Sequence, residues 1–198
     1  MIQVRDPKSI YQIDGDIENG RFHGRWHFSF GDYYDPRFKD FGTLRVFNDD
    51  TLTPGAVWPL HPHRDNDVVT YVASGEFRHT DESCKGGILK KGWVQHTTVG
   101  RGMRHSEINN RPDQPMRFIQ MWFYPSKHGL DPAVEQRAVE QAERTDRFCC
   151  LYRTGIKTHF RSFPMPELFP AFCTRERLRN MILRQGAAYI FTCWKEDQ

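Results

Sequence analysis

The segments His61-Pro62-His63 and His105-Ser106-Glu107 decide how this chain folds and what chemistry it can support. Each segment carries two metal-binding side chains that stand two residues apart. Because residues i and i+2 of a β-strand point to the same face, each segment would present its two ligands side by side. Two neighbouring strands could therefore assemble three imidazoles and one carboxylate around a single cation.

This set of donors predicts which metals the site would take. Three nitrogens and one oxygen, with coordination positions left open, suit Fe(II), Mn, Ni, Cu or Zn better than Mg or Ca, which prefer all-oxygen shells. Pro62 fixes its own backbone angle and has no amide donor. We therefore expect this strand to lie where no ladder hydrogen bond is needed at that position.

The residues around both segments have the pattern of an all-β fold. From residue 21 to about residue 124, short apolar or alternating runs are separated by Gly, Pro, Asn and Asp, which is typical of consecutive strands. Such a series without an intervening helix favours an antiparallel sandwich or small β-barrel of the jelly-roll type. The expected strands are 26–30, 43–48, 55–60, 68–73, 76–80, 87–89, 94–98, 104–109 and 116–123.

The pattern changes beyond Pro125. Residues 133–144 are helix-forming types, and Asp131 and Pro132 before them suit the cap and first turn of a helix. A second helix is expected at 175–184. The sequence thus predicts a metal-binding barrel over residues 1–140, followed by an atypical, partly helical C-terminal segment over residues 141–198.

Composition argues against several classes of protein. With 28 Lys and Arg against 25 Asp and Glu, the formal charge of +3 is too small to indicate nucleic-acid binding. No apolar run approaches the roughly 18 residues of a membrane span, and the first residues do not resemble a secretory signal. Five cysteines without a CxxC pair indicate free thiols, so a cytoplasmic protein is expected.

Several spaced motifs extend from the two metal-binding segments in both directions. They include Phe41-Gly42-Thr43-Leu44-Arg45-Val46-Phe47-Asn48, His61-Pro62-His63-Arg64, Gly75-Glu76-Phe77-Arg78-His79-Thr80-Asp81, Gly100-Arg101-Gly102-Met103-Arg104-His105-Ser106-Glu107 and Glu135-Gln136-Arg137. In order and spacing, this series resembles the pirin family of the cupin superfamily over residues 21–138. The resemblance is specific because so many separate elements coincide.

The resemblance implies a cupin barrel whose metal, usually iron, is held by His61, His63, His105 and Glu107. Pirins normally contain a second barrel, which residues after about 146 do not resemble. Asp67 stands where the family usually has Glu, and it could hydrogen-bond a ligand histidine from behind. Bacterial members have been assigned quercetin 2,3-dioxygenase activity, whereas an animal member acts as a metal-dependent nuclear co-regulator, and fold alone decides neither function.

Two functions therefore follow as hypotheses. The first is a metal-dependent dioxygenase that cleaves a flavonol or similar enolisable aromatic with dioxygen, with Glu107 as the base that takes the substrate's hydroxyl proton. The second is a non-enzymatic, iron-binding redox sensor that acts through a protein partner. Of the histidines outside the predicted ligand set, His79 and His96 could line the mouth of the cavity, but a surface position is expected for both.

Overall fold

The structure is a computed structural model that describes residues 5–82, 86–144, 147–150, 161–164 and 191–192. The chain divides into two compact units, one of residues 10–138 and one of residues 1–9 with 139–198. The strands of the first unit are β1 (Tyr11–Ile17), β2 (Gly20–Trp26), β3 (Leu44–Leu52), β4 (Val57–His63), β5 (Asp67–Ser74), β6 (Glu76–Asp81), β7 (Gly86–Lys90), β8 (Trp93–Thr98), β9 (Met103–Asn109), β10 (Met116–Phe123) and β11 (Ala133–Ala138). The second unit has a 3-10 turn (Pro7–Ser9), α1 (Gln141–Arg144), β12 (Arg147–Cys150), β13 (Arg161–Pro164) and β14 (Phe191–Thr192).

Antiparallel pairing joins the strands of the first unit into two sheets. Seven strands form one sheet in the order β1-β2-β3-β10-β5-β8-β11, and four form the other in the order β4-β9-β6-β7. The predicted all-β antiparallel architecture is therefore confirmed. In the second unit, β12 pairs antiparallel with both β13 and β14.

The core of the first unit is built by both sheets together. Leu52, Val72 and Phe118 of the seven-stranded sheet pack in one cluster with Phe77 and Leu89 of the four-stranded sheet, and all are at most 1% exposed. The rings of Phe77 and Phe118 meet at a centroid distance of 5.1 Å. Since fully burying one side chain of this size contributes about 1.5–3 kcal/mol, this cluster is a main source of stability.

The predicted helix over residues 133–144 is wrong for its first half. Residues Ala133–Ala138 form β11, which pairs antiparallel with β8 from Ala133 opposite Thr98 to Ala138 opposite Trp93. Helix propensity is only a weak preference, and the backbone of β8 offers hydrogen bonds that override it. Val134 also packs with the apolar cluster around Val68, so Asp131 and Pro132 precede a strand instead of a helix.

The predicted strand at 26–30 is also misplaced. Strand β2 ends at Trp26. The hydroxyl of Ser29 accepts from the amide of Asp35 and shares its one proton between the carbonyl oxygens of Asp35 and Phe38, which fixes a loop there. Strand β1 lies before the region predicted to be β, so the sequence did not indicate it. Its residues alternate between half-buried and exposed, but few of them are strongly apolar. The expected helix at 175–184 lies outside the described residues.

Membrane crossing by helices finds no support in the residues that can be described. None of their helices has both the length and the apolar composition that a bilayer span requires.

The turn between β5 and β6 depends on Gly75, which generates a stability prediction. Its φ is +77°, and an added Cβ would lie 2.9 Å from both the Met116 Cα and the Pro115 carbonyl oxygen. At Gly55, φ is +70° and nothing lies within 4 Å of such a Cβ. Gly55→Ala should cost about 1–2 kcal/mol for the left-handed backbone alone. Gly75→Ala should cost about 1–3 kcal/mol more from overpacking, measured as the free energy of unfolding in urea. Equal losses would contradict the steric argument.

Candidate metal centre

Strand β4 carries a β-bulge that turns the histidine pair inward. Trp58 lies opposite Glu107 and His61 lies opposite His105, so β4 has one residue more than β9 over this interval. Trp58 packs against the hydrophobic core, and strict alternation from it would put Leu60 on the inner side in place of the histidines. The extra residue reverses which side chains of β4 face inward. Accordingly, Leu60 is 45% exposed, whereas His61 and His63 are half-buried.

Pro62 sits on the outward side of the same strand. It is exposed and lies opposite Arg104 of β9. Strand β4 is the edge of the four-stranded sheet, so the missing amide of this proline breaks no pairing with a further strand of that sheet. The position agrees with the expectation from the sequence.

Pairing of β4 with β9 brings three histidines together. His61 and His105 are directly opposite in the register, and the ligand atoms of His61, His63 and His105 all lie within 4.8 Å of one another. The Trp122 ring packs edge-on against His63 at a centroid distance of 4.7 Å and restricts its orientation. The structure thus assembles three imidazoles from the two predicted segments.

Hydrogen bonds define how these imidazoles present their nitrogens. The carbonyl of Pro59 can only accept, so His61 donates from Nδ1 at 2.8 Å and, when neutral, keeps a lone pair on Nε2. That Nε2 faces the Nε2 of His105 at 3.1 Å. Two imidazole nitrogens at this distance need a proton or a cation between them, and neutral imidazole is a preferred ligand of Fe, Ni, Cu and Zn. The residues therefore fit a transition-metal ion.

Burial keeps the three histidines neutral near pH 7. It lowers the pKa of His63 to about 4, with a further contribution from neighbouring His61. It also lowers the pKa of His61, and it lowers that of His105 far below the usual value. Because a metal binds the neutral imidazole, none of these rings has to give up a positive charge before metal binds at neutral pH.

Glu107 is fixed by a short chain of side chains from β10. The indole of Trp122 donates to Oε1 of Gln120 at 2.8 Å, which leaves the Gln120 amide nitrogen to donate to Glu107. Glu107 is 4% exposed, and burial raises its pKa to about 7, although the hydrogen bond from Gln120 opposes this. The group of converging ligand atoms contains the three histidines but not Glu107, whose carboxyl group is instead hydrogen-bonded by Gln120.

Asp50 is a second buried carboxyl group close to this region, and no sequence motif singles it out. It is 5% exposed and accepts a hydrogen bond from the Trp26 indole at 3.1 Å. Burial raises its pKa to about 8, and the nearby charge of Glu107 adds to the shift. The carboxyl group therefore carries its proton at neutral pH.

Asp67, the residue predicted to support a ligand histidine, lies beside another histidine. Its Oδ1 is 3.5 Å from Nε2 of His96, and both side chains are mostly buried. Support of a metal ligand by Asp67 stays a prediction. The expected surface position of His96 is wrong, because its side chain is only 15% exposed.

His79 was also expected at the surface, and this expectation is wrong. It is 2% exposed, and its Nε2 lies 2.7 Å from Nδ1 of His105. Alternation along β6 could have indicated this, because Phe77, His79 and Asp81 share the buried face. In the sequence, only Phe77 at i−2 indicated burial, since Asp81 at i+2 is charged.

Comparison with known proteins identifies the family. The family model for Pirin matches residues 11–123, which are more than half of the chain. The chain belongs to the Pirin family. This pirin is 40% identical over 137 residues to a Pseudomonas aeruginosa protein with the provisional name of a quercetin 2,3-dioxygenase, covering 69% of the chain and 59% of that protein. It is 38% identical over 119 residues to the quercetin 2,3-dioxygenase of Escherichia coli, covering 60% and 52%.

A solved pirin shares the fold. The Escherichia coli pirin in complex with nickel(II) matches with a TM-score of 0.67 and 32% identity, covering 76% of this chain and 62% of that one. The match confirms the predicted pirin-type cupin fold. This pirin spans about three fifths of the length of the relatives that it matches.

Asp50 generates a prediction on the pH dependence of stability. Its pKa is raised on folding from 3.8 to about 8, so its contribution is full below pH 4 and is lost as the pH rises towards 8. Asp50→Asn cannot ionise and can still accept from Trp26. From pH 5 to pH 8, the unfolding free energy of the wild type should fall relative to Asp50→Asn by up to about 1.4 kcal/mol per pH unit. Parallel urea-denaturation curves at all pH values would refute this.

Proposed function

We propose that this pirin binds one transition-metal ion through His61, His63 and His105 and uses it to cleave a flavonol-type substrate with dioxygen. The observation that carries the proposal is the convergence of three neutral imidazoles from β4 and β9 within 4.8 Å. Relatives of 38–40% identity that bear the name of quercetin 2,3-dioxygenase support the choice of reaction.

The donor set supports an iron-type metal over magnesium or calcium. Three imidazole nitrogens favour Fe, Mn, Ni, Cu or Zn, and an Escherichia coli relative of the same fold was solved with nickel(II). We take Fe(II) as the metal to test first. When bound, such an ion supplies Lewis acidity and redox chemistry with dioxygen, which side chains alone do not offer.

Glu107 is proposed to serve as the fourth ligand and as the proton acceptor. Burial raises the pKa of Glu107 and a bound cation would lower it, and these opposed effects suit a group that both takes and returns a proton. Gln120 donates a hydrogen bond to the carboxyl group of Glu107, and rotation of the Glu107 side chain would bring it to the metal or to a substrate hydroxyl. The acidic 3-hydroxyl of a flavonol is the proton that Glu107 would remove.

The proposed reaction consumes one flavonol and one dioxygen. Both oxygen atoms enter the organic product, the central ring opens, and one carbon leaves as carbon monoxide. Glu107 returns the proton that it took, so no other reductant is required. A substrate with an enolisable hydroxyl beside a carbonyl meets these requirements.

Oxygen uptake by metal-loaded protein tests the function. The protein is loaded anaerobically with Fe(II), freed of excess metal and mixed with quercetin in aerated buffer, and uptake is followed beside carbon monoxide release. We expect equal amounts of dioxygen consumed and carbon monoxide formed, with none from metal-free protein. Bound iron without any uptake would reject the enzyme and favour the non-enzymatic iron-binding alternative.

Removing one imidazole should abolish metal retention. His63→Ala leaves two converging histidines. Loss of a residue that only hydrogen-bonds a metal ligand lowers metal affinity by about 10- to 100-fold, and loss of a ligand itself should lower it by more. The control is His23→Ala, which removes an exposed histidine whose Nδ1 contacts Asp14 at 3.0 Å. Elemental analysis and competition with a chromophoric chelator measure both. Wild-type metal content in His63→Ala would refute the ligand assignment.

Glu107→Gln separates proton transfer from metal binding. The amide keeps the size of the side chain but cannot act as a base, and a general base contributes about 10²- to 10⁴-fold to rate. At saturating Fe(II), we expect kcat for quercetin to fall by that factor while the three histidines still bind the metal. Spectrophotometric turnover and iron content are measured on the same sample. A kcat near that of wild type would exclude Glu107 as the base.

A further inference from the structure

His79 lies directly behind His105 in the four-stranded sheet. In the register of β6 and β9, His79 is opposite Glu107, while His105 is opposite Asp81. Nε2 of His79 and Nδ1 of His105 are 2.7 Å apart, and the two rings meet nearly at right angles, at 86°. Both histidines are 2% exposed. The proposed ligand His105 thus rests on a second histidine that the proposed metal chemistry does not use.

The hydrogen bonds form a chain from His79 through His105 to His61. His61 donates to the Pro59 carbonyl from Nδ1, so its Nε2 is the acceptor at the front of the chain, 3.1 Å from Nε2 of His105. If His105 carries its proton on Nε2, it donates to His61 and the space between them is closed. If His105 carries its proton on Nδ1, it donates to His79 and its Nε2 lone pair is free for a metal.

His79 must match whichever tautomer His105 adopts. In the closed form His79 donates from Nε2, and in the open form it accepts at Nε2 and carries its proton on Nδ1. That Nδ1 is buried and has no hydrogen-bond partner among the residues whose positions are described. Among the described residues, none fixes the proton of His79 on one nitrogen. A carboxylate or carbonyl at this position would only accept and would fix His105 in the open form.

A glycine of β7 lies close to Nδ1 of His79. A Cβ at Gly86 would lie 2.9 Å from Nδ1 of His79 and 2.2 Å from its carbonyl oxygen. Gly86 itself is exposed. The backbone therefore approaches His79 closely without a side chain that would cover or bind Nδ1.

We propose that His79 is a positioning residue that sets the tautomer of His105, allowing exchange between a form closed by the hydrogen bond to His61 and a form open to metal. The inference rests on the proposed metal site. On opening, the proton shared by His79 and His105 moves to Nδ1 of His105. The proton on Nε2 of His105 leaves to water, and Nδ1 of His79 takes one from water, so both rings stay neutral.

Nitrogen-15 NMR of histidine-labelled protein observes these tautomers directly. In metal-free protein, long-range coupling should show His105 protonated on Nε2. With diamagnetic Zn(II), both His105 and His79 should be protonated on Nδ1. A His105 that carries its proton on Nδ1 in both states would overturn the exchange.

Metal affinity tests the positioning role. His79→Phe keeps a ring without nitrogens and should weaken Zn(II) binding by about 10- to 100-fold, as expected for loss of a partner behind a ligand. His79→Gln keeps a polar group at similar reach and should recover most of the affinity. The matched control is His27→Phe, the same exchange at a half-buried histidine beside Phe47, which should bind as wild type does. Circular dichroism checks that each variant is folded.

The outcomes separate this inference from the proposed function. Zn(II) binding by folded His79→Phe with wild-type affinity would overturn the inference and leave the metal site standing. Failure of the wild type to bind Zn(II) and Fe(II) would overturn both. If His79→Phe does not fold, the proposal is tested by the Zn(II) affinity of His79→Gln and by the tautomers of His79 and His105 in the wild type. Tautomers that do not change when Zn(II) binds to the wild type would reject the proposal.

Discussion

The candidate site depends on the register between β4 and β9, which puts His61 directly opposite His105. A slip of one residue would turn every side chain of β4 to the other face and separate the three histidines. The bulge between Trp58 and His61 makes this register compatible with the core, because it lets both Trp58 and the histidine pair face inward. One extra residue therefore reconciles packing with chemistry.

The interior around the site collects ionisable groups that folding has removed from water. Burial lowers the pKa of the histidines and raises those of Glu107 and Asp50, so most of these groups are neutral at pH 7. Their hydrogen-bond partners come from other strands: Gln120 for Glu107 and Trp26 for Asp50. A cation bound by the histidines would favour ionised Glu107, so metal binding and the charge of this carboxyl are coupled.

Sequence reasoning recovered the elements whose patterns are local. The period of two along β9 placed His105 and Glu107 on one buried face, and the glycine-containing turn at Ser74-Gly75 separated β5 from β6. It failed at 133–138, where good helix formers pair with the edge of β8, since a strand partner distant in sequence leaves no local signal. The loop after Trp26 was not predicted either, because it is held by contacts of the Ser29 hydroxyl with carbonyl oxygens six and nine residues further along, and residue type alone does not indicate such contacts.

The all-β class, the family and the two segments that supply the candidate ligands can be predicted from the amino-acid order, because strand periodicity and residue type are local properties of the chain. The phase of β4 after its bulge, the hydrogen bond from Gln120 to Glu107 and the position of His79 behind His105 become visible only in the folded molecule. Each of these joins residues from different strands, separated by 13 positions in the case of Gln120 and 26 in the case of His79. Which side chains meet across strands follows from register, and register is fixed only when the sheets pack.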